Sequence, residues 1–398
     1  MKPNRIAVIG GGAAGLTCAA LLAEVGREVH LYEAHSLLQK VLASGNGRCN
    51  FTNETMETRF YTGGTASFVE PTLRTFGARE AVLFFKRLGL LSKTLKSGMT
   101  YPYAMDAKTV VRTLQHWAEN AGVVFHLEET VKNLKKGFCF DTSQGERTAE
   151  RVVVATGGAY TAKGVFSPAY RLVKDLGHTI TPLHPGIVAL TTSEPDLCTR
   201  LAGLRRAMRL TLCPEEASDS EFSYTGDVLF AGGCLSGIVA LKASNRCLER
   251  LQSGARCFVE LDFYPDVEET ALLSFFQRVQ KAHSNWDVRE VLGGSLQEPL
   301  LDVVLRRMAR EKTKDVWRQA VHWTKHFSLE ITGSRKKDRG QVTCGGISTE
   351  QVDPQTLESR LVSGLYFVGE VLDVQGECGG YNLHWAWASA HAAAAALQ

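Results

Sequence analysis

No stretch of about 18 consecutive apolar residues occurs in this 398-residue chain, so no membrane-spanning helix is expected of it. The ten cysteines are scattered, without a C-x-x-C pair or a zinc-type spacing. That argues against a dithiol oxidoreductase and a zinc enzyme, and no metal site is expected. Most of the cysteines read as small, reduced core residues. A secretory signal is not expected either, because an apolar strand begins at Ile6 and the glycines after it have a use in the fold. A cytoplasmic location follows as the expectation. No basic block dominates: the densest, Arg335-Lys336-Lys337 with Arg339, is short, and the formal net charge is only +3. Both features argue against a nucleic-acid partner. Repeats are missing, and the one biased segment is an Ala-rich run that reads as a helix end. At 44% hydrophobic and 22% charged residues, a chain of this length suits two or three globular domains.

What is present starts with Ile6-Ala7-Val8-Ile9, an apolar run that reads as a buried parallel strand. Gly10-Gly11-Gly12-Ala13-Ala14-Gly15 follows at once, then a helical stretch over Leu16–Val25, then a strand over Glu28–Glu33 that ends in an acid. Strand, G-x-G-x-x-G, helix, strand and acid together form a dinucleotide-binding unit. Gly10 permits the tight turn, Gly12 lets backbone N–H groups approach a pyrophosphate, and Gly15 lets helix and strand pack closely. Ala13 and Ala14 complete the expected pyrophosphate turn. Glu33, with Ala34 beside it, can accept hydrogen bonds from ribose hydroxyls; its charge would repel a 2′-phosphate, so NADP is not expected there. The motif alone does not separate FAD from NAD.

A second glycine turn lies near the other end. Leu365–Val368 reads as a buried strand, followed by Gly369-Glu370, Asp373, the turn Gly376-Glu377-Cys378-Gly379-Gly380 and a helix-prone run over Tyr381–Leu397. A helix start suits partial negative charge. A reduced flavin develops such charge near N1 and the C2 oxygen, which favours FAD, with Gly369, Glu370, Asp373, Gly380, Tyr381, Asn382 and Leu383 as its neighbours. Between the two turns, the β-branched run from Arg151 ends in Ala155-Thr156-Gly157-Gly158, a tight turn able to back the cofactor from the other side. Only one dinucleotide fingerprint exists, so no second site dedicated to NADPH is expected.

Residues 44–53, SGNGRCNFTN, are too rich in turn formers for a helix or strand. Gly45 and Gly47 allow close backbone approach, Arg48 can pair with a phosphate or a flavin oxygen, and Asn50 and Asn53 supply donors and acceptors. Cys49 reads as a small buried residue in preference to a reactive thiol.

Together these residues resemble the flavoprotein family of the bacterial YhiN and BaiN proteins, often labelled NAD(P)/FAD-dependent or aminoacetone-oxidase-like oxidoreductases. The resemblance rests on GGGAAG at 10–15, SGNGRCNFTN at 44–53, ATGG at 155–158 and LGHTITPLHP at 176–185. It continues through TGDVLF at 225–230, LSG at 235–237, LESRLVSGLYFVGEVLD at 357–373 and GGYNL at 379–383. It implies FAD as cofactor and a 44–53 loop wrapped around the FAD pyrophosphate and the isoalloxazine edge. It also implies Gln39 and Lys40 near the adenosine ribose or pyrophosphate, and Val131 meeting the adenine through its backbone. Departures occur as well. Leu38 and Gln39 stand where the family often has Gly and a basic residue. Ser167-Pro168-Ala169 replaces a glycine-rich turn within 159–170, and LFAGGCLSGI at 229–238 lacks a family His and Pro.

The middle of the chain carries β-rich runs at Ile187–Thr192, Arg209–Cys213 and Arg256–Phe263, amphipathic helical patterns at Thr270–Ala282, Trp286–Gly293 and Leu300–Arg310, and strands again at Phe327–Thr332 and Gln341–Cys344. The expected fold is α/β: a Rossmann-like FAD-binding domain over 1–186 and 341–398, interrupted by a β-barrel-like insertion over 187–265 and 327–340 that carries a helical cap over 266–326. The BaiN branch of the resemblance implies reduction of an activated C=C in an unsaturated ketone of steroid or bile-acid type, with NADH or NADPH as candidate electron donor and a small molecule as partner. An oxidase of a small amine or related metabolite, a tRNA-modifying flavoprotein and a non-catalytic flavin binder are the alternatives. Tyr101, Tyr103 and His384 are the candidate proton donors, while Tyr381 reads as packing beside the flavin. The oligomeric state stays open.

Overall fold

The computed structural model describes residues 5–161, 164–165, 168–213, 222–311, 315–335 and 340–398. Lys336, Lys337 and Arg339 of the basic block, and much of the altered 159–170 loop including Ser167, lie outside them. The chain divides into two compact units, Met1–Gly186 with Asp338–Gln398, and Ile187–Lys337.

In the first unit the strands form one parallel sheet in the order Leu365–Phe367, Arg151–Val154, Arg5–Ile9, Glu28–Glu33, Val124–Leu127. Val8 is paired with Leu31 on one side and Val153 on the other, and all three are fully buried. Burial on both faces is why Arg5–Ile9, Arg151–Val154 and Leu365–Phe367 read as apolar runs, while Glu28–Glu33 and the edge strand Val124–Leu127 keep partly exposed positions. Helix Ala13–Glu24 packs against helix Tyr381–Leu397, whose alanines at 388, 390 and 393 leave no exposed surface and allow close approach. Helices Ala66–Thr75, Ala78–Arg87 and Ala107–Asn120 fall where the sequence reading assigned no element. The last had visible signals: Asp106 accepts from the Lys108 N–H at 3.0 Å as N-cap, and Val110, Leu114, Trp117 and Ala118 line one helical face.

The second unit contains a closed antiparallel barrel in the order Leu190–Thr192, Cys234–Ser236, Phe222–Ala231, Arg205–Cys213, Cys257–Asp262, Phe327–Ser334. The α/β class, with a Rossmann-like sheet and a barrel, is therefore the one expected. The β-rich span nevertheless contains a 16-residue helix, Gly237–Gln252, whose Val239, Ala240, Ala243 and Cys247 are buried. It starts at Gly237, where φ is +86° and a Cβ would sit 2.4 Å from the Asp227 carbonyl oxygen. Helices Glu269–Ala282, Val288–Gly293, Glu298–Met308 and Val316–Lys325 share the barrel's apolar core, with Phe276, Leu300, Val304 and Ala320 clustered with Leu210, Phe230 and Phe327. Among the described residues, no helix is long and apolar enough to cross a membrane.

One charge pair is sealed inside this unit. Lys325 Nζ donates to Asp262 Oδ2 at 2.9 Å and to the Tyr264 carbonyl at 2.9 Å. Replacing Lys325 with Met would leave the buried Asp262 carboxylate with the Tyr264 N–H at 2.8 Å and the partly exposed Arg209 4.0 Å away, so Lys325→Met is expected to lower unfolding free energy by about 3 kcal/mol. Urea unfolding checks this, and Lys325→Met with Asp262→Asn should recover part of the loss.

Candidate active site

The N-terminal turn is built by two close approaches. Gly10 has φ +110°, and a Cβ there would lie 2.4 Å from the Ala155 carbonyl oxygen; a Cβ on Gly15 would lie 1.9 Å from the Gly10 carbonyl oxygen. Gly12 differs, because nothing lies within 4 Å of the position its Cβ would take, and the same holds at Gly47 and at Gly157, where φ is +71°. These glycines face open space rather than neighbouring chain. Gly12 is also the N-cap of helix Ala13–Glu24, so the free N–H groups there suit an anion. The Glu33 carboxylate is oriented by two backbone donors, Gly11 N–H at 2.6 Å and His35 N–H at 2.8 Å, and each oxygen keeps acceptor capacity. Ala34 is partly buried beside it, and Val131 is buried and bridged to Thr142.

Leu38 explains the glycine that the family often has there: its φ is +57°, in the left-handed region, and its side chain is buried. Gln39 is exposed. Lys40 is not a lone cation: its Nζ lies 2.6 and 2.8 Å from the Glu370 oxygens, and Glu370 also accepts from the Thr343 N–H at 2.8 Å.

Loop 44–53 bends through left-handed conformations at Gly45, Asn46, Gly47 and Cys49. It rests against the C-terminal turn. Asn53 Nδ2 donates to the Gly379 carbonyl at 2.9 Å, and Gly380, at φ +100°, has room for no Cβ because Thr52 O and Asn50 Oδ1 would lie 2.6 and 2.9 Å away. Asn382 locks that turn, accepting from Gly376 N–H at 2.9 Å and donating to the Gly376 carbonyl at 2.6 Å. Leu383 follows, partly buried. Gly369 N–H donates to Ser389 Oγ at 2.9 Å, and Asp373 accepts from Gln375 Nε2 at 3.0 Å. Cys49 is fully buried, and burial pushes its thiol up to about 12, which suits an inert packing residue. Tyr381 stacks on Phe60 with ring centroids 4.8 Å apart.

The proton-donor candidates separate. His384 is completely buried, with Nδ1 2.8 Å from Thr52 Oγ1 and Nε2 2.9 Å from the Phe76 carbonyl. Burial drives its pKa down to about 4, so the ring is neutral with both nitrogens engaged, which weighs against His384 as a candidate proton donor. Tyr103 is 67% exposed, past the end of strand Met99–Pro102. Tyr101 has its ring buried against Gly45 and the Arg48 guanidinium 5.3 Å from its centroid.

Several buried polar atoms have no partner among the described residues, and those beside the glycine turns are free to meet a ligand. Asn50 Oδ1 and Thr156 Oγ1 are two, both on glycine turns the sequence singles out. Thr62 Oγ1 and the Tyr170 hydroxyl are two more that sequence reasoning missed. Burial, Glu370 and Asp373 push the Tyr170 phenol up. No local pattern signals either residue; only the folded surroundings leave them unpaired. Open space at Gly12 and Gly157, an oriented Glu33 and these unpaired atoms together fit a dinucleotide cofactor. Among the described residues, no His, Cys, Asp and Glu group is arranged to hold a metal ion.

Residues 4–396 match the family described as HI0933-like protein Rossmann domain. A 3-dehydro-bile acid delta(4,6)-reductase of Clostridium scindens is 32% identical over 98% of this chain and 98% of its own length. A ribosomal RNA dihydrouridine synthase of Escherichia coli is 30% identical over 97% of this chain and 96% of its own. Among solved structures, the 3-ketosteroid delta1-dehydrogenase of Sterolibacterium denitrificans shares the fold with a TM-score of 0.52 at 11% identity, covering 99% of both chains.

Two expectations follow from the geometry. Gly12→Val fills space that no protein atom uses, so flavin per purified chain should fall at least about tenfold while the urea stability of the flavin-free protein changes by less than about 0.5 kcal/mol. Gly15→Ala forces a clash with Gly10 and should lose stability as well. The second expectation concerns acid. The folded-state pKa of His384, about 4, lies below the ordinary 6.5, so the unfolded chain takes up the proton first. Its contribution is complete above pH 6.5 and is lost as pH falls towards 4, by roughly 3 kcal/mol in total. Urea midpoints from pH 7.5 to 4 should fall less steeply in His384→Asn than in the parent.

Proposed function

From its membership of the HI0933-like Rossmann-domain family, we propose that this chain, a FAD-dependent oxidoreductase, reduces the C=C of an α,β-unsaturated ketone of the steroid or bile-acid type, with NADH or NADPH as electron donor. The observation that carries the reading is the full-length likeness to a relative named as a bile-acid reductase. FAD, when bound, supplies the hydride and its electron pair.

The chain's own residues bind and orient. Glu33, with Ala34, takes the adenosine ribose, and the backbone at Val131 lies with the adenine. The helix start at Gly12, Ala13 and Ala14 takes the pyrophosphate, with Gly10 and Gly15 making the turn that aims it. Gly45, Gly47, Asn50, Ala155, Thr156 and Gly157 line the flavin side, where the unpaired Asn50 and Thr156 oxygens await partners. Gly369, Asp373 and the helix start from Gly380 through Leu383 face the flavin's electron-rich edge, where the N–H groups favour negative charge. Lys40 acts through Glu370, which it holds in place, with Gln39 at the rim. Of the three candidate donors, Tyr101 serves the substrate as a hydrogen-bond donor, because among the described residues its hydroxyl meets only Met99 Sδ, at 3.7 Å.

A second reading draws on the relative named for dihydrouridine in ribosomal RNA. A uracil ring also carries a C=C conjugated to a carbonyl, so the chemistry is of the same kind with an RNA partner. The near-neutral charge weighs against it.

The test is anaerobic. Oxidised holoprotein is mixed with NADH or NADPH, followed by 4-androstene-3,17-dione or by ribosomal RNA. Bleaching of the flavin by one nicotinamide, and its return with saturation of the steroid, is the expected result. No bleaching by either removes the nicotinamide donor. Bleaching reversed by RNA alone, with dihydrouridine formed, moves the assignment to the second reading.

A further inference from the structure

We infer that Arg48 and Tyr101 together hold the carbonyl oxygen of the unsaturated substrate, as paired hydrogen-bond donors to the negative charge that oxygen gains during reduction. This rests on the conjugated-carbonyl reading above. It gives Arg48 to the substrate instead of to the cofactor.

The first support is the shape of the loop. Of residues 45–49, only Arg48 itself has an ordinary φ; Gly45, Asn46, Gly47 and Cys49 all lie between +55° and +78°. Two of those four are not glycine, and a left-handed non-glycine residue persists only where its surroundings enforce it. Here they do: Cys49 is fully buried with its N–H on the Ser44 carbonyl at 3.0 Å, and the Phe51 N–H is on the Thr100 carbonyl at 3.0 Å. The bend turns Arg48 outwards. Its Nε is tied to the Gly45 carbonyl at 3.2 Å and its guanidinium carbon lies 5.3 Å from the Tyr101 ring centroid. Among the described residues, no carboxylate pairs with it, so its terminal N–H groups remain available in a fixed orientation.

The second support is Tyr101. The residue is 4% exposed, and among the described residues its partly buried hydroxyl meets only the Met99 sulfur, a weak acceptor. Its O–H therefore keeps the capacity to donate to a stronger acceptor from outside the chain. The charged and titratable groups close enough to act on this phenol are Arg48, Cys378 and Cys49, with no carboxylate among them. Burial raises the Tyr101 phenol, which keeps it protonated and able to donate, and Arg48 is the neighbouring group whose charge favours an anionic oxygen.

The chemistry needs such a pair. Saturating a conjugated C=C adds a hydride at the β carbon and a proton, from solvent, at the α carbon. Between the two transfers the electron pair of the former double bond rests on the carbonyl oxygen. Donors fixed in advance around that oxygen lower the barrier without reorganising. The assignment also selects substrates: a cyclic enone and a uracil both present the oxygen, and an isolated alkene does not.

The probe is 4-nitrophenolate, a planar ring bearing a charged oxygen, titrated by absorbance into oxidised holoprotein at pH 8. Binding by the parent is expected. Arg48→Met should weaken it by about 10- to 100-fold and Tyr101→Phe by about tenfold. Arg48→Lys, the fold-preserving control, should fall between parent and Arg48→Met, and flavin per chain should stay constant in all three. No binding by the parent, unchanged binding in Arg48→Met, or loss of flavin in both Arg48 variants would each overturn the assignment. Arg48-dependent nitrophenolate binding in a protein that reduces no conjugated ketone would sink the substrate reading and support the anionic-oxygen site. Enone reduction with nitrophenolate binding indifferent to both residues would do the reverse.

Discussion

Helix Ala13–Glu24 lies so near the end of strand Arg5–Ile9 that a single methyl group on Gly15 would come within 1.9 Å of the Gly10 carbonyl oxygen. Much of the first unit depends on that closeness. It brings the helix start, with its free N–H groups, to the mouth of the sheet. It also sets the surface on which the alanine-rich C-terminal helix packs. That second helix in turn presents Gly380–Leu383, so the two ends of the chain contribute neighbouring turns to one site. The neighbouring Gly12 is free of this constraint, and the contrast between a glycine required by packing and one that faces open space identifies the ligand side of the turn.

The same division of labour recurs in the charges. Lys40 and Glu370 neutralise each other, so the carboxylate beside the C-terminal turn is held rather than free. Glu33 is oriented by backbone N–H groups, and among the described residues no cation is paired to it. Arg48 is the contrasting case, an oriented guanidinium with no carboxylate on it. A site whose Glu370 is held by Lys40 and whose Arg48 carries no carboxylate among the described residues suits a ligand oxygen that becomes negative. That links the geometry to reduction of a conjugated carbonyl more directly than any one motif does.

The sequence was most informative where a residue type has a local physical use. The strand Glu28–Glu33, the helix Tyr381–Leu397 and the glycine turns between them were legible because burial on both faces, helix propensity and positive φ leave marks on neighbouring residues. The helix Ala107–Asn120 carried equally local marks. The helix Gly237–Gln252 was obscured by the β-rich runs around it, although its apolar residues recur at helical spacing.

What the sequence by itself determined is the class of fold, the dinucleotide turn, the family and therefore the redox cofactor, all of which follow from short-range constraints on backbone and burial. Tertiary structure alone decided which side chains keep unmet hydrogen-bonding capacity. His384 sits one turn into a helix aimed at the site, yet its ring is taken up by Thr52, 332 residues away, and by the Phe76 carbonyl. Arg48 and Tyr101 meet only because a left-handed bend folds one over the other. Tyr170 and Asn50 are unpaired only because of what surrounds them. Periodicity gives a residue's place along an element, but its partners depend on long-range packing, and no spacing in the chain encodes that.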